Sequence, residues 1–279
     1  MRLDGILYML LSVVLFTTAN ALVKSIGYLP TTQIVFMRSL ISLVLCATYV
    51  VYRGFPFFGV NRKWLLIRGV FGVAGLTLFF FTVQNLPLAT ATVIQYLSPI
   101  FTVILALVYL EQRVRPIQWV FMLMALAGVV ILNGLDPNVE LSFVFIGIAS
   151  AFFASVAYMA TVKCKATDHP VLIVMYFHLI ATPLMGGYSL FHWQAISGQE
   201  WLVGLAVGVV SVIAQIAMAV AITREDASVV TPFKYVGAVL AWLVGIYFFN
   251  EQIGVLGASG LVVVSAGVLL NTLARRYQW

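Results

Sequence analysis

Ten apolar segments, each long enough to cross a hydrocarbon layer, follow one another along the 279 residues with only short connections. They run 5–26, 32–52, 64–83, 88–110, 116–134, 142–163, 170–191, 200–222, 228–249 and 254–273. A spanning helix needs about 20 apolar residues. Hydrophobic residues make up 63% of the chain and charged residues 9%, against about 25% charged in an ordinary soluble domain. No soluble fold can cover so much apolar surface, so lipid must be the solvent. The expected class is an all-α integral membrane protein with ten transmembrane helices and no soluble domain.

The formal net charge is +6, and its placement argues topology, not nucleic acid. With the N-terminus inside and ten alternating spans, the inner loops and ends hold Arg2, Arg53, Arg62, Lys63, Arg113, Arg115, Lys163, Lys165, Arg224, Arg275 and Arg276. The outer loops hold no Lys or Arg, while Asp136, Glu140, Glu200 and Glu251 fall outside. Lys and Arg concentrate on cytoplasmic loops of membrane proteins, so both termini are expected in the cytoplasm, most simply across a bacterial inner membrane. Ala19-Asn20-Ala21 resembles a signal-peptide cleavage site. Asp4 beside Arg2 and the long apolar run argue for a retained first helix. Cys46 and Cys164 lie in different helices without metal or disulfide spacing. Neither metal nor cofactor is expected.

One stretch occurs twice. Residues 89–112 read ATATVIQYLSPIFTVILALVYLEQ, and residues 227–252 read ASVVTPFKYVGAVLAWLVGIYFFNEQ. Both place a tyrosine and a proline before a long apolar run that ends in Glu-Gln. Pro30 and Arg38 recur as Pro170 and His178, and Trp64 as Trp201, at shifts of 137–140 residues. A half-length echo marks a transporter built from two repeats. Five helices per half is odd, so the second half enters the membrane from the other side. The expectation is two inverted five-helix repeats, residues 1–134 and 135–279, around a central cavity.

Pro99 and Pro232 interrupt the two repeated helices. Proline lacks an N–H and blocks the carbonyl four residues back, and in a membrane the freed groups must face protein or water. Both are candidate gating positions. Gly69, Gly72, Gly75, Gly204 and Gly208 suit close helix packing.

Charges inside the spans say most about function. Arg38 lies about 10 Å below the outer end of the second helix, and Lys234 about as far from the inner end of the ninth. Lys24 closes the first helix, and His178 lies within the seventh. A cation at mid-depth costs about 2.5–3.5 kcal/mol on insertion scales. None of the nine Asp and Glu residues falls inside a span except Glu200, the end residue of the eighth, so a substrate anion is the attractive partner, with backbone carbonyls and water as the alternative. Polar stripes add Asn20 beside Thr17 and Lys24, Gln95 and Tyr96 beside Thr92, Gln215 beside Ser211, and Tyr235 and Trp242 beside Ser228 and Thr231. Such stripes on apolar helices should face a cavity.

Three stretches, ALVKSIGYLPTTQIVFMRS at 21–39, NLPLATATVIQYLSPIFTVILALVYLEQ at 85–112 and DASVVTPFKYVGAVLAWLVGIYFFNEQ at 226–252, complete the pattern. The chain resembles the drug/metabolite transporter superfamily, in particular its ten-helix EamA-type members. The resemblance implies secondary transport of small metabolites by alternating access. It maps the family's Lys and Arg of the first two helices onto Lys24 and Arg38, and its basic residue before tyrosine onto Lys234 and Tyr235. It leaves the solute open, because relatives handle amino acids, sugar phosphates, nucleotide sugars and carboxylates. The glycine that often precedes the helix-end glutamate in such families is Leu110 in one half and Asn250 in the other.

The uncompensated cations favour a carrier of small organic anions or zwitterions. A carrier of cationic or neutral amino acids or drugs stays open through the aromatic residues Tyr96, Tyr235 and Trp242. A non-transport enzyme or scaffold finds little support, because acid–base work needs a positioned pair and His178 has no carboxylate near it in the sequence. The expected partners are a small-molecule substrate and the lipid bilayer, with a homodimer left open.

Overall fold

A computed structural model describes residues 3–26, 28–85, 91, 94–111, 114–133, 140–249 and 255–276. The helices are α1 (Leu3–Ser25), α2 (Thr31–Tyr52), α3 (Arg62–Asn85), α4 (Ser98–Leu110), α5 (Pro116–Asn133), α6 (Leu141–Cys164), α7 (Pro170–Ser189), α8 (Gly198–Arg224), α9 (Ala227–Val230), α10 (Val236–Phe249) and α11 (Val255–Arg276), with a 3-10 turn at Thr231–Tyr235. Each of the ten expected spans holds helix, and the described residues contain no strand. Helices α1, α2, α6, α7 and α8 are each long and apolar enough to cross a membrane on their own.

The distribution of side chains is inverted relative to a soluble protein. Leu7, Val70, Phe145 and Val262 are more than half exposed, while Ser39, Ser42, Ser150 and Ser155 are fully buried. In water the first group would be driven inward; against acyl chains there is no such drive. Helix association then rests on close packing and interhelical hydrogen bonds. Ser42 Oγ donates to the Gly208 carbonyl at 3.2 Å, and Ser150 Oγ to the Gly75 carbonyl at 2.8 Å.

Packing joins one half of the chain to the other. Helix α1 packs on α8, α3 on α6, α2 on α7 and α8, α3 on α7, α4 on α6, α1 on α10, and α5 on α11. Glycines set the close approaches. A methyl at Gly69 would meet Ile180, and one at Gly208 would meet Ile41. A methyl at Gly128 would meet Val264, and one at Gly267 would meet Ala125. Within each set, a shift of 139 residues carries one contact onto the other (69 to 208 and 41 to 180; 128 to 267 and 125 to 264). With that shift Arg38 corresponds to Phe177, and His178 lies one residue further on.

The two proline-bearing spans are broken. Ile94 and Gln95 are helical, Tyr96 and Leu97 form a turn, and α4 restarts with Pro99 in its first turn. Proline is tolerated there because first-turn N–H groups have no partner within the helix. Pro232 sits inside the 3-10 turn that separates α9 from α10. Helix α4 ends at Glu111, which adopts a left-handed φ of 53°.

At the end of the bundle where α1 begins, the connections carry Arg53, Arg62, Lys63, Lys163, Lys165 and Arg224. Two loops of this basic rim are tied together. The Asp168 carboxylate accepts from the Val60 and Asn61 N–H groups at 2.7 and 3.0 Å, capping α3 from the α6–α7 connection. Tyr176 donates to the Phe58 carbonyl at 2.7 Å. At the opposite rim the buried Gln33 amide donates to the Gln194 carbonyl at 2.8 Å and accepts from its N–H at 3.0 Å.

Candidate functional site

Arg38 stands in the eighth position of α2, about 10 Å from the rim where that helix starts. Its Nε is buried and has no partner among the described residues. Across the packed α2–α7 contact lies His178, fully buried, with neither ring nitrogen partnered among the described residues. The Phe177 ring meets the imidazole edge-on at 4.9 Å between centroids. The hydroxyls of Ser39, Thr182 and Ser211 and the Gln215 Oε1 are also buried without partners among the described residues. Buried polar groups without partners are rare and costly in proteins, at about 1–3 kcal/mol each. Those named here lie on α2, α7 and α8, and no other described residue satisfies them.

A second group lies nearer the basic rim. Lys234 turns out of the 3-10 segment and donates to the Tyr158 hydroxyl at 2.9 Å and to the Ser98 hydroxyl at 3.4 Å, and its Nζ stands 4.2 Å from the centre of the Tyr158 ring. It is thus held by two hydroxyls and an aromatic face. Arg68 on α3 is 5% exposed. Its guanidinium lies 5.3 Å from the centre of the Phe177 ring and against the Gly72 backbone. Neither Arg68 nor Lys234 has an ion pair among the described residues, whereas Arg224 at the rim pairs with Asp4 at 3.9 Å. Arg68, Tyr158 and Lys234 share one depth, six or seven residues in from the basic rim, or about 10 Å.

The helix breaks also bring two tyrosines together. Tyr96 and Tyr235 face each other at 5.7 Å between centroids. Tyr235 is fully buried, and its hydroxyl is unpartnered among the described residues. The Tyr96 turn and the Tyr235 turn therefore meet where both helices lose their regular hydrogen bonds.

The expected residues are thus unevenly gathered. Arg38 and His178 lie on helices that pack together, and the Tyr96 and Tyr235 rings face each other. Gln95 is tied to α6, where its Oε1 accepts from Ser150 Oγ at 2.9 Å. Gln215 is buried and open to a partner, and Asn20 is exposed. The Thr17 hydroxyl is taken by the Val13 carbonyl of its own helix at 3.0 Å. Lys24 and Trp242 lie on described helices, but their side chains are outside the described residues, as is Thr92. Pro99 and Pro232 are both buried at the breaks. Two members escaped the sequence reading. Arg68 lies close after Arg62 and Lys63, near the inner end of the third apolar run; the signal was its place inside that run, 64–83. Tyr158 offers no such signal, since one more tyrosine in an apolar helix looks like core.

The EamA-like transporter family matches the chain twice, over residues 3–134 and 141–273. The chain belongs to this family. It is 31% identical over 275 residues to the pseudopaline exporter CntI of Pseudomonas aeruginosa, covering 96% of each chain. It is 28% identical to a riboflavin transporter of Vibrio cholerae, covering 99% of this chain and 94% of the relative. It is 24% identical to an S-adenosylmethionine uptake transporter of Rickettsia prowazekii, covering 89% and 85%. A protein known from a crystal structure shares the fold over 100% of both chains, with a TM-score of 0.85 at 21% identity. The protein is a multi-pass membrane transporter and not an enzyme.

Proposed function

We propose that the chain is a secondary transporter that moves a small organic anion or zwitterion, a carboxylate or amino-acid-like metabolite, by alternating access. The observation that carries this reading is that Arg38 Nε and both His178 ring nitrogens, on the packed helices α2 and α7, are buried with no partner among the described residues. A substrate carboxylate supplies what the protein withholds, because charge-assisted hydrogen bonds to a guanidinium are strong and directional.

The two halves are inverted repeats in this reading. Its support is the packing: exchanging the halves turns α1 on α8 into α6 on α3, and turns α2 on α8 into α7 on α3, while α2 on α7 and α5 on α11 map onto themselves. A two-fold axis in the membrane plane produces such pairing, and it puts the substrate site between the repeats. The basic rim faces the cytoplasm with both termini, across a bacterial inner membrane, following the positive-inside rule. Pro99 and Pro232 then hold the broken helices that rearrange as access alternates.

A second reading, a carrier of cationic or neutral amino acids or drugs, draws on the Tyr96–Tyr235 pair. The relatives include exporters and uptake carriers of different solutes, so kinship sets neither direction nor substrate. A thermal-shift screen of the purified protein against carboxylates, phosphates, amino acids and amines tests the choice. The anion reading expects carboxylates or amino acids to raise the melting temperature. Stabilisation by amines alone would overturn it in favour of the second reading.

A further inference from the structure

Resting on that reading, we infer that the transported solute carries two anionic groups, one met by Arg38 with His178 and the other by Arg68 with Lys234. The first position is the one already argued. The second rests on separate residues. Arg68 is nine-tenths buried or more, is aimed at the Phe177 face, and has no carboxylate among the described residues. Lys234 reaches the same depth from the opposite repeat and is held there by the Tyr158 and Ser98 hydroxyls. Those hydroxyls hold the ammonium by hydrogen bonds.

The two positions form one trail. Phe177 carries the Arg68 guanidinium on its face at 5.3 Å and the His178 ring at 4.9 Å. Tyr158 bonds Lys234 and lies within electrostatic range of Arg68, and His178 lies within range of both Arg38 and Arg68. Three basic side chains thus lie within spans that hold no Asp or Glu at mid-depth. Each costs about 2.5–3.5 kcal/mol at mid-depth on insertion scales. A monoanion compensates one of them and leaves Arg68 and Lys234 as two repelling cations at the same level. A second anionic group on the solute, between Arg68 and Lys234, relieves that repulsion, and the solute's uncharged middle then passes Phe177.

The test is isothermal titration of the detergent-purified full chain with butyrate and glutarate, which differ by one carboxylate. Glutarate should bind the wild type at least about ten-fold tighter than butyrate, since one charge-assisted contact is worth about 1.5–3 kcal/mol. Arg68→Gln should weaken glutarate about ten-fold or more and butyrate less than about three-fold. Arg68→Lys keeps the charge and should recover most of the glutarate preference, which a purely structural arginine would not require. A preference for glutarate that persists unchanged in Arg68→Gln overturns the second position while leaving the anion reading standing. Failure of both acids to bind the wild type overturns the two-anion solute, while the anion-or-zwitterion reading is decided separately by the thermal-shift screen. Should Arg68→Gln not yield folded protein, Lys234→Met with the same two titrants decides on the same criterion.

Discussion

Placing a methyl group at Gly128 should loosen the α5–α11 pair, and the size of the effect follows from the packing. An added Cβ would stand 2.5 Å from the Val264 backbone nitrogen, 2.9 Å from Val264 Cγ2 and 3.0 Å from the Val263 carbonyl carbon. Two of these atoms are backbone, so no side-chain rotation relieves the clash and the helices must separate. Overpacking of this kind costs about 1–3 kcal/mol. In lipid no hydrophobic gain offsets the lost contacts, because acyl chains are as apolar as the partner helix. Gly128→Ala should therefore lower the melting temperature of the purified protein by several degrees, at about 2–4 °C per kcal/mol. Gly267→Ala should do the same, with its Cβ at 2.6 Å from the Ala125 nitrogen. The double variant should lose less than the sum, since once the helices part the second methyl meets less resistance. Gly187→Ala is the control, because nothing lies within 4 Å of the added atom. If Gly128→Ala and Gly267→Ala melted like Gly187→Ala, the close approach that anchors the correspondence between the halves would be wrong.

Two further predictions concern the rim and the breaks. His169 caps α7 by accepting from the Val171 N–H at 3.3 Å, and burial, with the Arg53 charge second, holds its pKa below the usual 6.5. The unfolded chain therefore binds the proton more readily, so stability should be flat above about pH 6.5 and fall as the pH drops below it; His169→Asn, which caps without titrating, should flatten that fall in melting curves. Pro99→Ala and Pro232→Ala restore an N–H that can close each broken helix onto the carbonyl four residues back, so both should slow solute exchange in proteoliposomes more than they weaken binding, and weakened binding with normal exchange would contradict a gating role.

The long-range order of this fold was largely legible because lipid writes it in simple periods. Ten apolar runs of spanning length, the half-chain echo and the two prolines anticipated α1 to α11 and both helix breaks. Pairing between helices was not legible, because periodicity reports which face of a helix is polar and not what that face meets. Gln95 therefore read as a cavity residue and is bonded to Ser150, and Lys234 read as isolated and is held by Tyr158. The echo read from Pro30 and Arg38 set His178 against Arg38, while glycine contacts between the halves follow a shift of 139 and set Phe177 there. Arg68 falls inside the run 64–83, but so near Arg62 and Lys63 that it does not stand out as an embedded charge as Arg38 and Lys234 do. Asp168 looked like a loop acid, and only the folded chain brings the Val60 and Asn61 N–H groups to its carboxylate.

The central claim is that membrane-embedded cations recognise an anionic or zwitterionic solute, and transport itself tests it most directly. The measurement is uptake into proteoliposomes of the carboxylate or amino acid that most stabilises the purified protein, for the wild type, Arg38→Gln and Lys234→Gln at equal reconstituted amounts. Each variant should raise the half-saturation concentration by about ten-fold or more, or abolish uptake, since each removes a charge-assisted contact of about 1.5–3 kcal/mol. Wild-type uptake by both variants would contradict the account.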